Sequence, residues 1–148
     1  MAKFPLYIAL CAALIYYSLA MQQNPRLEVL GEGIYAIYSR EDIRSSYVTR
    51  RVSSGIGYIY YTDSKNATML RERFNSIDGE SIEVHGQSAK QIFRMLGYKE
   101  VSYCGDIYYG YSTRGRSFIK ADSKRINLQV VERDGRTVVG WPVILGSY

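Results

Sequence analysis

Cysteine, histidine and proline are scarce in this sequence, and each scarcity closes off a class of chemistry. The 148 residues hold two cysteines, one histidine and three prolines. Cys11 lies in an apolar N-terminal stretch and Cys104 stands alone in the remainder. The body of the chain therefore has no internal disulfide and must be held by its core. In that setting Cys104 reads as a small buried apolar residue rather than a nucleophile. His85 has no second His, Cys pair or His-x-x-x-His spacing beside it, so no zinc-binding pattern exists. It is expected to be a polar residue at a strand end. Ser53-Ser54-Gly55 and Gly110-Tyr111-Ser112 lack the Gly-x-Ser-x-Gly frame, and a hydrolase would have only His85 as its base. Glu41 and Asp42 are adjacent, which sets them on different faces rather than across a glycosidase cleft. Gly31-Glu32-Gly33 and Gly55-Ile56-Gly57 fall short of a phosphate loop and read as strand-edge or bulge glycines. No catalytic residue, metal or cofactor is assigned, and the chain reads as a non-enzyme.

What is present begins with an address. After Lys3, the 17 residues Phe4–Ala20 carry no charge, and as a helix they would span about 26 Å. Ser18 and Ala20 place small residues at −3 and −1 of a cleavage site. Residues 1–20 are therefore expected to be a signal peptide or a membrane anchor, and the chain to be exported, secreted or tethered. Residues 21–32 are polar at first and contain a Pro, so they read as a linker before a single domain at 33–148. Net charge is +5, and fifteen tyrosines dominate the aromatics, three of them (Tyr7, Tyr16, Tyr17) in the leader. Tyrosine suits half-buried sheet faces, with an apolar ring and a polar end.

The patterning predicts an α+β domain. A strand is expected at Gly33–Ser39 and another over Ser54–Thr62, rich in aromatic and β-branched residues. A helix capped by Asp63 or Ser64 should follow to about Ile77, with Met69, Leu70, Phe74 and Ile77 as its stripe. Glu80–Val84 alternates as a strand. Ser88 caps a second helix with Ile92, Phe93 and Leu96 inward and Gly97 at its end. Tyr98–Ser112 reads as one strand or a pair broken at Gly105-Asp106, Ser117–Ala121 as a short strand, and Arg125–Glu132 as an alternating one. Asp134-Gly135 turns the last into Thr137–Trp141. Two helices should pack on one face of a mainly antiparallel sheet, leaving the other face to tyrosine. Arg71, Glu72, Arg73, Lys90 and Arg94 are expected on the solvated helix sides.

Three segments carry a likeness to known proteins: Tyr109-Gly110-Tyr111-Ser112-Thr113-Arg114, Arg125–Val131 and Val139–Tyr148. Over about residues 54–148 the chain resembles the YwmB-like family. That family consists of exported proteins of spore-forming Gram-positive bacteria, described with a TATA-box-binding-protein-like fold. The resemblance implies export and a saddle-like sheet, hints at sporulation or wall processes, and brings no catalytic residues.

The most suggestive surface is basic and aromatic. Tyr108, Tyr109 and Tyr111 are followed by Arg114, Arg116, Lys120, Lys124 and Arg125, with Asp122 the acid among them. Tyrosine rings stack on sugars or bases, and guanidinium groups pair with phosphate or carboxylate. These residues are the expected binding surface; the plainer alternative is a tyrosine-filled sheet face beside a solvated basic loop. The function expected is a non-enzymatic extracytoplasmic module that binds a protein or an anionic cell-envelope component. The alternatives are an enzyme or enzyme accessory acting on the envelope, and nucleic-acid binding by fold analogy, which export disfavours.

Overall fold

A computed structural model describes residues 11–14, 25–115 and 117–146. The fold is α+β. Eight strands form one antiparallel sheet: β1 (Ile34–Ser39), β2 (Arg50–Ser54), β3 (Gly57–Asp63), β4 (Gly79–His85), β5 (Lys99–Cys104), β6 (Ile107–Tyr111), β9 (Leu128–Arg133) and β10 (Arg136–Trp141). Their spatial order is β2-β3-β1-β4-β10-β9-β6-β5. Between β6 and β9 lies a separate hairpin, β7 (Ile119–Ala121) with β8 (Lys124–Ile126). Two helices pack on the sheet, α1 (Ala67–Arg71) and α2 (Ala89–Leu96), preceded by a 3-10 turn at Leu27–Leu30.

One face of the sheet is the core. Tyr35 and Ile37 of β1, Tyr60 of β3, Ile82 and Val84 of β4, Val139 and Trp141 of β10 and Leu128 and Val130 of β9 are buried together. Alternation places them there, since every second side chain of a strand shares a face. Leu70 of α1 and Ala89, Ile92 and Phe93 of α2 cover them. α2 forms where its sequence signals it: Ser88 Oγ accepts from the Gln91 amide while Gln91 reaches back to the Ser88 amide. Gly97 ends it at φ 72°, a left-handed conformation glycine adopts at no steric cost.

α1 is shorter than its apolar spacing predicts. Its stripe breaks because Phe74 leaves the helix to pack on Tyr60, with ring centroids 5.0 Å apart. Ser39 Oγ then donates to the Ser76 carbonyl, and the Glu41 carboxylate accepts from the Ser76 amide. These bonds replace a further helical turn, and Met69 is left exposed. The expected single strand at Ser54–Thr62 begins with a turn at Gly55-Ile56, which separates β2 from β3. The stretch read as a linker also contributes to the core, because Leu27 and Leu30 are fully buried. Cys104, expected to be buried, is exposed at the end of edge strand β5.

The second face carries Tyr38, Tyr61, Tyr109 and Tyr111, partly roofed by the C-terminal segment. The Ile144 amide donates to Gln129 Oε1 at 3.0 Å and the Leu145 amide to Ser81 Oγ at 2.7 Å. Gly140 makes this possible: a Cβ there would lie 2.3 Å from the Ile144 nitrogen. The expected leader falls outside the described residues except for 11–14, a short exposed helical stretch. Among the described residues no helix is long and apolar enough to cross a membrane.

Candidate binding surface

Strand alternation sorts the aromatic–basic residues between the two faces of the sheet. In β6, Tyr109 and Tyr111 stand on the second face, while Tyr108 opposes Val130 on the core face and packs against the core. Tyr108 instead neighbours Tyr103 of β5, with ring centroids 6.3 Å apart. The three tyrosines therefore do not form one surface. Arg114 lies on the helix side, its Nη1 about 4.0 Å from the position a Gly97 Cβ would take. That places a cation at the C-terminus of α2, where the helix dipole favours it. Lys124 Nζ donates to the Val101 carbonyl at 3.1 Å and so belongs to the β5 edge. Arg116 lies outside the described residues.

What comes together is Tyr111, Lys120 and Arg125, with Phe118, a residue the sequence reading did not select. The β7–β8 hairpin carries Lys120 and Arg125, and Phe118 directly precedes it. Its root is fixed by Asn127, which is fully buried. Asn127 Oδ1 accepts from the Ser112 amide at 2.9 Å and its Nδ2 donates to the Ser112 carbonyl at 2.8 Å. This carboxamide replaces a strand pair, which is why the expected strand Arg125–Glu132 is interrupted there. Gly115 leaves the room, since a Cβ would fall 2.4 Å from Asn127 Nδ2.

The hairpin then builds a stack. The Phe118 ring meets Tyr111 edge-on, with centroids 6.5 Å apart at 88°, and the Arg125 guanidinium sits 4.8 Å above the Phe118 ring. Such aromatic and cation–π contacts fix an otherwise flexible arginine. Lys120 lies directly opposite Arg125 in the ladder, so both cations share one face. Like charges directly opposed across strands are destabilising. None of the ion pairs among the described residues includes Lys120 or Arg125, and Asp122 in the turn pairs with neither. The shelf is cationic and aromatic, and among the described residues no carboxylate pairs with either cation.

A second polar cluster was not legible as such. Arg71, expected on a solvated helix side, reaches into the sheet. Its Nε donates to Glu80 Oε1 at 2.7 Å, and its Nη atoms fork onto Glu28 at 2.8 and 3.0 Å. Tyr35 Oη donates to Glu80 Oε1 at 2.6 Å and accepts from Arg71 Nη2. The Glu80 side chain is only 2% exposed. Burial opposes ionisation of Glu28, but hydrogen bonds from Arg71 and the backbone and the charges of Arg71 and Arg26 outweigh it. The carboxyl is held below its ordinary value of 4.5. Burial first, then the Glu80 charge, pushes the Tyr35 hydroxyl far up, so it stays protonated. A small cavity of about 150 Å³ opens beside the cluster, lined by Arg71, Glu80, Arg26, Pro25 and Ile77. The hydrogen-bonding atoms of Arg71 and Glu28 are spent on one another and on Glu80 and Tyr35, the arrangement of a structural lock between the 3-10 turn, β1, β4 and α1.

His85 and the groove at the start of α2 stand apart from this cluster. His85 is exposed at the end of β4, opposite Arg136. The groove at the start of α2 is closed to anions, because the Glu132 carboxylate already accepts from the Ala89 amide. Among the described residues no group of three or more His, Cys, Asp or Glu is placed to hold a metal ion. Compared with known proteins, the chain matches no family model, no curated protein and no solved structure.

Proposed function

We propose that this protein is a non-enzymatic binding module that works outside the cytoplasm and holds an anionic polymer of the cell envelope. The observation that carries the reading is the Lys120–Arg125 pair: two cations opposed across a hairpin, mounted on the Phe118–Tyr111 stack, with no ion pair to either among the described residues. Repulsion between them is relieved when an anion binds both. Phosphate or carboxylate groups spaced along a polymer meet that need. The uncharged run Phe4–Ala20 and the likeness of the C-terminal third to the exported YwmB-like proteins support an extracytoplasmic address.

Retention on poly(glycerol phosphate) tests this. Lys120→Glu with Arg125→Glu should lower retention at least tenfold, about 1.4 kcal/mol or more, at an unchanged melting temperature. Equal retention of parent and double variant would contradict the reading. Arg114→Glu with Lys90→Glu, both on the helix side of the sheet, serves as the charge-matched control and should retain most binding.

A further inference from the structure

The sheet has two free edges, and they are built differently. Edge strand β5 is blunted. Its register with β6 slips between Glu100 and Ser102, and Lys124 Nζ occupies the Val101 carbonyl. A bulge and an edge lysine are the devices that keep foreign strands away. Edge strand β2 has no lysine and no bulge between Arg50 and Ser54; Thr49, whose amide and hydroxyl both donate to the Tyr61 carbonyl, bounds it. The strand pairs with β3 without a break from Arg50–Tyr61 to Ser54–Gly57, and Arg50, Arg51, Val52 and Ser53 are all exposed. Among the described residues β2 has no neighbour on its outer side.

The pairing states which backbone groups are unspent. Gly55-Ile56 is a two-residue hairpin loop with Gly55 at φ 59°, and such loops close on a hydrogen-bonded pair, here Ser54–Gly57. Hydrogen-bonded pairs alternate along an antiparallel ladder, so Arg50, Val52 and Ser54 use their amides and carbonyls on β3. Arg51 and Ser53 direct theirs outward. The side chains beside this edge have a defined chemistry. Arg50 lies 4.0 Å over the Tyr61 ring and Arg51 4.8 Å over Tyr58, so both guanidinium groups are drawn flat onto β3 instead of projecting across the edge. Arg51 is also paired with Asp42, whereas Arg50 has no ion pair among the described residues. Val52, two residues on and on the same face as Arg50, is 40% exposed.

We propose that β2 is a docking edge that takes one extended acidic segment of a partner protein as a ninth strand. Backbone bonds to Arg51 and Ser53 supply affinity, as in other strand additions. A carboxylate opposite Arg50, met when its guanidinium turns from the Tyr61 ring to the added strand, and an aliphatic side chain opposite Val52 supply selection. The edge lies at the far end of the sheet from the β7–β8 shelf, so this inference does not depend on the proposed function.

The probe is a fluorescein-labelled nine-residue peptide with Glu and Val at alternate odd positions and Thr between them, added to the full chain. Amide exchange of Arg51 and Ser53 should slow at least tenfold at saturation. The same peptide with Lys for Glu should bind at least tenfold more weakly. Ser53→Pro removes an amide hydrogen that β3 does not use, so the melting temperature should hold while affinity falls at least tenfold. Arg50→Glu, an exposed substitution, should do the same without any backbone change. Unaltered exchange with peptide present, or parent-like affinity in both variants, would overturn the proposal. A chain that dimerises without peptide and becomes monomeric as Ser53→Pro would overturn it in favour of a second copy as the occupant.

Discussion

At the scale of single residues, Arg71 has the largest consequence for the fold. It neutralises Glu80, whose carboxylate could not stay buried alone, and it ties Glu28 to the same point. Breaking a buried pair by removing one partner typically costs about 3–5 kcal/mol. Arg71→Met should therefore lower stability by an amount of that order in denaturant melts, and a loss under about 1 kcal/mol would show the cluster to be a surface feature. The Glu28 carboxyl sits lower in the folded chain than in the unfolded one, so its contribution is present above about pH 4.5. That contribution is lost as pH falls through the folded value. Glu28→Gln should thus lower the melting temperature at pH 7 but converge on the parent in strongly acidic solution; a constant gap across the acid range would refute the linkage. None of this was legible in the sequence, where Arg71-Glu72-Arg73 is a plain run of charge. What brings Arg71 inward is the partner Glu80 on a strand nine positions away, and Glu28 on a turn still more distant. By contrast, His85 at its strand end and the buried alternation of Leu128 and Val130 could be read locally, because strand period alone decides them.

At the scale of elements, local signals succeeded where they were complete within a few residues. Ser88, Gln91 and Gly97 define both ends of α2, and Asp134-Gly135 defines the β9–β10 turn. They failed where a distant group competes. Tyr60 draws Phe74 out of α1, and the Asn127 carboxamide splits one expected strand into β8 and β9. The β2–β3 turn was hidden because Ile56, 79% exposed, prolongs the apolar run. Packing between α2 and β6 depends on Gly110, where an added Cβ would lie 2.5 Å from the Phe93 ring. Gly110→Ala should therefore cost about 1–3 kcal/mol, measured by chemical denaturation. A neutral effect would mean that α2 slides freely over the sheet.

At the scale of the whole molecule, the sheet separates its tasks. One face is closed by the helices and the 3-10 turn. The other is partly roofed by the C-terminal segment, and Tyr109 and Tyr111 stand on it beside the cationic hairpin. The split of Tyr108 from Tyr109 and Tyr111 follows from strand alternation, and Arg114 and Lys124 serve the helix end and the β5 edge. The expected broad surface thus narrows to a shelf of Tyr111, Phe118, Lys120 and Arg125. Phe118 escaped notice because its role depends on the hairpin folding back over β6. The measurement that bears most directly on this account is equilibrium binding of the full chain to poly(glycerol phosphate) at about 0.05 M and about 0.5 M NaCl, with and without Lys120→Glu and Arg125→Glu. The account predicts binding that weakens steeply with salt in the parent and is nearly absent in the double variant. Binding that is indifferent to both salt and the two substitutions would contradict it.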